Sequence, residues 1–220
     1  MARIARVVVS GYPHHVTQRG VRSMAIFRDD EDRRAYLRFM AEQTDRFGVE
    51  VLAWCLMTNH VHLIAVPSDE AGLARGIGEG HKRFTRMRNF RDGVRGYLFQ
   101  GRFGSCVMDE AHAVAGVRYV ERNPVRARLV RKAWRYRWSS AAYHAGERAT
   151  DPLVKERDLW DLGGDWKSFL EEEDEESNAA LRLSTRTGRP YGEEDFVTLL
   201  EELTGRMLRR GKPGRPRRRK

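Results

Sequence analysis

The chain has 220 residues, 40% of them hydrophobic and 33% charged, with a mean hydropathy of −0.66, which suffices for one packed domain with extensions. No apolar run approaches the roughly 20 residues of a membrane span. The N-terminus lacks a signal-peptide core, and two cysteines give no disulfide framework, so a reducing cytoplasm is expected.

In chain order, Val7 to Val9 and then His15 to Gln18 read as an early strand interrupted by Gly11-Tyr12-Pro13. Asp29 to Phe47 reads as a helix with an acidic start, closed by Gly48. Val49 to Met57 and His60 to Val66 are strands about a Thr58-Asn59 turn. Pro67 to Asp69 introduces a helix to about Asn89, Gly93 to Gly101 is a loop, and Phe103 to Met108 is a strand. Asp109 is the expected N-cap of a helix ending at Pro124. The order β-α-β-β-α-β-α predicts an α+β fold, a ferredoxin-like antiparallel sheet backed by helices. Beyond Trp138 a mostly helical or irregular extension is expected, with Glu171 to Glu176 as a solvated linker or helix face and Glu193 to Leu208 as an amphipathic helix.

Charge divides the chain into three parts. Residues 1–144 carry 25 Lys/Arg against 14 Asp/Glu, residues 145–205 carry 7 against 17, and residues 206–220 carry 9 against none. The expected organisation is therefore a basic body over 1–144, which the family resemblance drawn below makes the catalytic domain, an acidic extension over 145–205 and a disordered basic tail over 206–220. Clustered positive charge selects a polyanion, because neutralising phosphates releases condensed counterions.

Four local patterns carry chemistry. In Asn59-His60-Val61-His62-Leu63, residues i and i+2 of a strand share a face, so His60 and His62 project together as a divalent-metal pair. Two surface histidines, or one buried and hydrogen-bonded, would read the same way. In Arg118-Tyr119-Val120-Glu121-Arg122-Asn123-Pro124-Val125-Arg126, Tyr119 and Asn123 are i and i+4 on one helical face. A phenol among arginines can serve as a nucleophile, and Asn123 offers a neutral oxygen to a metal. A half-buried aromatic before a capping Asn is the plainer alternative. Lys82 to Phe103 interleaves seven Lys/Arg with five aromatics, which suits a DNA single strand or, equally, an amphipathic helix whose aromatics are core. In the tail, Arg215 lies in Gly214-Arg215-Pro216, compatible with an A·T minor groove or with a simple phosphate tether.

Taken together, His15-Val16-Thr17-Gln18-Arg19-Gly20, Leu56 to Leu63, Phe99-Gln100-Gly101-Arg102-Phe103, Arg118-Tyr119 through Arg126, and Trp138-Ser139-Ser140 occur in the order found in the single-tyrosine transposases of the HUH superfamily. The chain most resembles the REP-associated branch, although Phe99 stands where that branch usually has Trp and Val21 where a polar residue is common. The resemblance implies that Tyr119 is the nucleophile and that His60, His62 and Asn123 hold Mg²⁺ or Mn²⁺. It implies cleavage and rejoining of single-stranded DNA beside a hairpin through a 5′-phosphotyrosine. Arg19, Lys82, Arg83, Arg86, Arg102, Arg118, Arg122, Arg126 and Arg215 are the expected DNA contacts. Mobile-element relatives work as dimers with exchanged tyrosine helices and the host-resident branch as monomers, so monomer and homodimer both stand as expectations. The alternatives are a catalytically inactive nucleic-acid-binding regulator of the same fold, and a hydrolase that needs the histidines but no tyrosine.

Overall fold

A computed structural model describes residues 4–157, 159 and 165–209. Four strands, β1 (His14–Arg19), β2 (Val49–Leu56), β3 (His60–Pro67) and β4 (Gly104–Val107), form one sheet in the order β2-β3-β1-β4. Every pairing is antiparallel. This is the ferredoxin-like order expected from the alternation of elements.

Side-chain alternation sorts the sheet into two faces. On β3, Val61, Leu63 and Ala65 join Val16, Trp54 and Leu56 in one apolar cluster with Tyr36, Met40, Ile77 and Phe84. Those last four come from the two helices that back the sheet, α1 (Asp30–Arg46) and α2 (Gly72–Asp92). Asp29 caps α1 by accepting from Asp32 N. Gly48, at φ +59°, turns the chain out of the helix, and a Cβ there would lie 2.2 Å from Ser68 Oγ.

The opposite face carries Cys55, Ile64 and Cys106, which pack with α3 (Glu110–Glu121) and α7 (Glu175–Thr187). Asp109 caps α3 as expected, accepting from His112 N at 2.8 Å. Between these two helices lie the short helices α4 (Asn123–Arg126), α5 (Ala141–His144) and α6 (Trp166–Glu171); α8 (Glu194–Thr204) follows.

Several expectations change. Val7 to Val9 is not a strand, because β1 already has β3 on one side and β4 on the other. Val7 is instead buried with Phe196 and Leu200 of α8. The tyrosine helix ends at Glu121, short of the expected Pro124, which instead opens a separate short helix. Pro124 occupies the first turn of α4, where its missing N–H leaves no helical bond unmade, and Ala127 N still donates to Asn123 O. The last helix ends at Thr204 rather than Leu208, because Gly205 turns left-handed at φ +63°. The acidic run Glu171 to Glu176 is mostly exposed, as expected of a solvated linker or helix face, and its carboxylates also pair with basic side chains. Glu171 pairs with Lys132, Glu172 with Arg118, Glu173 with Arg122 and Glu175 with Arg182. No helix among the described residues is long and apolar enough to cross a membrane.

Candidate active site

The histidines of β3 stand as the alternation predicts, on the face away from α1 and α2. His60 and His62 ring centres are 5.0 Å apart. Each imidazole is oriented through Nδ1. His60 Nδ1 lies 2.6 Å from Asn59 Oδ1, and the amide of Asn59 is itself fixed because its Nδ2 donates to Ser23 O. His60 therefore donates from Nδ1 and turns an unprotonated Nε2 outward. His62 Nδ1 lies 2.9 Å from Nε2 of His15, a β1 residue. Those rings are parallel within 5° with centres 5.1 Å apart, the arrangement of two imidazoles edge to edge along one N–H···N bond rather than face to face.

Burial keeps these rings neutral. Desolvation first, then the positive charges of Arg19 and Arg126, lowers His60 to about 4. His62 is pushed well below 6.5 by burial, then by His15, His60, Arg126 and Arg19. Burial, then Arg126, takes His15 to about 3. Unprotonated nitrogens are what a metal requires.

Tyr119 reaches this point from the last turn of α3. Its ring is 5.7 Å from that of His62 and 5.6 Å from that of His15, nearly perpendicular to both. The tyrosine and the histidine pair thus meet within one chain. The Arg126 guanidinium sits 4.1 Å from the centre of the Tyr119 ring. Asn123 stays on the tyrosine's face: its Nδ2 donates to Tyr119 O, while among the described residues its Oδ1 has only a 3.5 Å contact from Arg126 Nη2. Arg126 Nη1 is buried with no hydrogen-bond partner among the described residues.

These residues border a cleft of about 780 Å³, also lined by Arg19, Arg102, Arg182 and Arg186. Among the described residues no carboxylate lines it. A concavity lined by five arginines suits a phosphodiester. No group of three or more His, Cys, Asp or Glu is arranged for a metal among the described residues. A cation held by His60 and His62 would therefore take Asn123 Oδ1, water or substrate oxygen as its further ligands.

The remaining expected DNA contacts separate. Arg19, Arg102 and Arg126 line the cleft. Lys82 and Arg86 border a neighbouring groove of about 630 Å³ beside Val94 and Tyr97, which shares Gln18 and Arg102 with the cleft. Arg83 faces another side of α2 and pairs with Glu42. Arg118 and Arg122 point away from the cleft, into the acidic run, and Arg122 also donates to Leu170 O. Arg215 lies outside the described residues. Of the aromatics in the basic segment, Phe84, Phe99 and Phe103 are core, whereas Phe90 and Tyr97 are 90% and 87% exposed.

Sequence reasoning did not assign His15, Arg182 or Thr185 to the site. His15 gave no signal in the sequence by itself: it precedes Thr17 by two, and only the sheet register that pairs Thr17 with His62 brings it to the site. Arg182 and Thr185 come from α7 and gave none. The Arg182 guanidinium is raised above its ordinary value first by Glu175 and also by the Tyr119 hydroxyl beside it.

The family described as Transposase IS200 like matches residues 8–123, more than half of the chain. Seven chains of solved structures match. One of them, a REP-associated tyrosine transposase bound to a REP hairpin, is 19% identical with a TM-score of 0.56, covering 75% of this chain and 97% of that one. No curated protein matches.

Proposed function

The chain belongs to the IS200-like transposase family, and from that membership we propose that it cuts and rejoins single-stranded DNA beside a hairpin, with Tyr119 as the nucleophile. The observation that carries the proposal is the packing of Tyr119 on His15 and His62 of its own chain, under Arg126, in a cleft that no carboxylate lines among the described residues.

In the proposed reaction Tyr119 Oη attacks phosphorus and the P–O3′ bond breaks. The 5′ side is then joined to the tyrosine and a 3′-hydroxyl is free. The phosphodiester bond energy is kept in the phosphotyrosine, so a second 3′-hydroxyl can reverse the step without a nucleotide cofactor. Arg182 and Arg126 put positive charge where the phenolate and the crowded phosphate develop negative charge. His60, His62 and Asn123 Oδ1 are the groups that would hold Mg²⁺ or Mn²⁺. When bound, such a cation polarises the scissile phosphate.

The shared Gln18 and Arg102 make the groove along α2 the proposed path of the unpaired strand. Lys82, Arg86 and Arg102 would follow phosphates, and the exposed ring of Tyr97 would stack a base. Hairpin-bearing repeats are proposed as substrate because the motifs resemble the REP-associated branch and because the similar solved protein was bound to such a hairpin.

The test is incubation of end-labelled single-stranded hairpin DNA with the protein and Mn²⁺, followed by denaturing electrophoresis. A protein-linked band that EDTA abolishes is expected. Free cleavage products with no linked band point to the hydrolase alternative, and binding without cleavage to a regulator. Either result overturns the proposal.

A further inference from the structure

Thr185 lies on α7, outside the segment matched by the family, and 170 positions from the imidazole it touches. Its hydroxyl has one proton, and Oγ1 donates that proton to Leu181 O at 2.8 Å, one helical turn back. Toward His15 it can then only accept, and His15 Nδ1 stands 2.7 Å away. His15 accordingly carries its proton on Nδ1 and leaves Nε2 bare. That bare nitrogen accepts from His62 Nδ1 at 2.9 Å. The consequence at the end of the chain of bonds is that His62 has its proton on Nδ1 and its lone pair on Nε2. Thr185, His15 and His62 are all less than a tenth exposed, so no bulk water competes for these bonds.

We propose that Thr185 is a positioning residue that works through His15 to set the tautomer and ring orientation of His62, so that a helix of the C-terminal extension prepares the metal-facing nitrogen of the catalytic sheet. The proposal rests on the reading of His60 and His62 as a metal pair. A partner that fixes the far nitrogen of a ligating imidazole changes metal affinity by about 10–100-fold in other proteins. The role differs from that of Asn59, which orients His60 from the adjacent position in the chain. His62 has no such neighbour and takes its orientation from another strand and another helix.

The test uses full-length protein without DNA. Imidazole ¹⁵N shifts report which nitrogen of His15 and His62 is protonated, and titration of free Mn²⁺ by electron paramagnetic resonance reports affinity. Thr185→Val keeps the shape and removes the acceptor oxygen. Thr185→Ser restores that oxygen, and Thr185→Ala serves if the valine protein does not fold. In the wild type both rings are expected to be Nδ1-protonated. In Thr185→Val, His62 becomes a mixture of tautomers and Mn²⁺ binding weakens about 10-fold or more, whereas Thr185→Ser stays within about threefold of wild type. Cleavage by Thr185→Val is expected to recover at high Mn²⁺, separating metal affinity from the chemical step. An Nε2-protonated His62 in the wild type, unchanged Mn²⁺ affinity in Thr185→Val, or equal losses in the Val and Ser proteins would overturn the proposal. If wild type and His62→Ala bind Mn²⁺ equally well, the metal-pair reading fails and takes this proposal with it. The ¹⁵N shifts then show whether the hydrogen-bond relay was itself correct.

Discussion

Arg126 holds its guanidinium 4.1 Å from the centre of the Tyr119 ring. A guanidinium this close to the phenol places positive charge beside the position where a phenolate would form. Arg126→Ala is therefore expected to lower the single-turnover cleavage rate at saturating DNA by about 10²–10³-fold, the range seen when one oxyanion donor is removed. Hairpin affinity changes little, since the groove along α2 is untouched. A full rate in Arg126→Ala would mean that this side chain serves packing alone. At this scale the sequence was legible wherever the chemistry was local. The i, i+2 alternation of His60 and His62 and the i, i+4 relation of Tyr119 and Asn123 follow from strand and helix geometry, and both are found. His15 and Thr185 were not legible, because their contacts with the site cross 47 and 170 positions and depend on sheet register and helix docking.

At the level of elements, Asp109 joins two parts of the fold. Its Oδ1 caps α3, the helix that carries Tyr119, and its Oδ2 accepts from Glu193 N at the start of α8. Asp109→Ala is expected to cost about 2 kcal/mol, from the lost cap and the lost long-range bond. Asp109→Asn, which can still cap, is expected to cost less than about 1 kcal/mol. Urea unfolding at pH 7 measures both, and equal stability of the Ala variant and wild type would contradict the assignment. The cap, the two backing helices and all four strands were readable from capping residues and hydrophobic period. The acidic run was readable as exposed charge, but its partners were not, because they depend on what lies opposite. Glu172 and Glu173 read as solvated charge in sequence, yet they meet Arg118 and Arg122, which consequently face away from the cleft.

Over the whole molecule, two buried histidines outside the cleft set a pH dependence. Burial lowers His81 to about 3 and His14 to about 4. The unfolded chain, with ordinary values near 6.5, then binds more protons than the folded one between those limits. Stability is fully present above about pH 6.5 and is lost as pH falls toward the folded values. From pH 7 to pH 5 His81 alone accounts for about 2 kcal/mol of that loss. Because Tyr36 Oη pairs with His81 Nε2, His81→Gln is the gentler replacement. Its unfolding free energy is expected to fall by about 2 kcal/mol less than that of wild type over this interval. Equal pH slopes in urea melts of the two proteins would refute the buried-neutral assignment. On the same scale, the meeting of Tyr119 with its own chain's histidines means that one molecule holds the whole constellation. A mixture of Tyr119→Phe and His62→Ala proteins is therefore expected to stay inactive, whereas exchanged tyrosine helices would restore cleavage. The central claim is that Tyr119 itself becomes joined to DNA, and proteolysis of the covalent adduct followed by mass spectrometry tests it most directly. The account predicts a nucleotide 5′-phosphate on the peptide containing Tyr119 and no adduct in Tyr119→Phe. A linkage mapped to any other residue, or an undiminished adduct in the Phe variant, would contradict it.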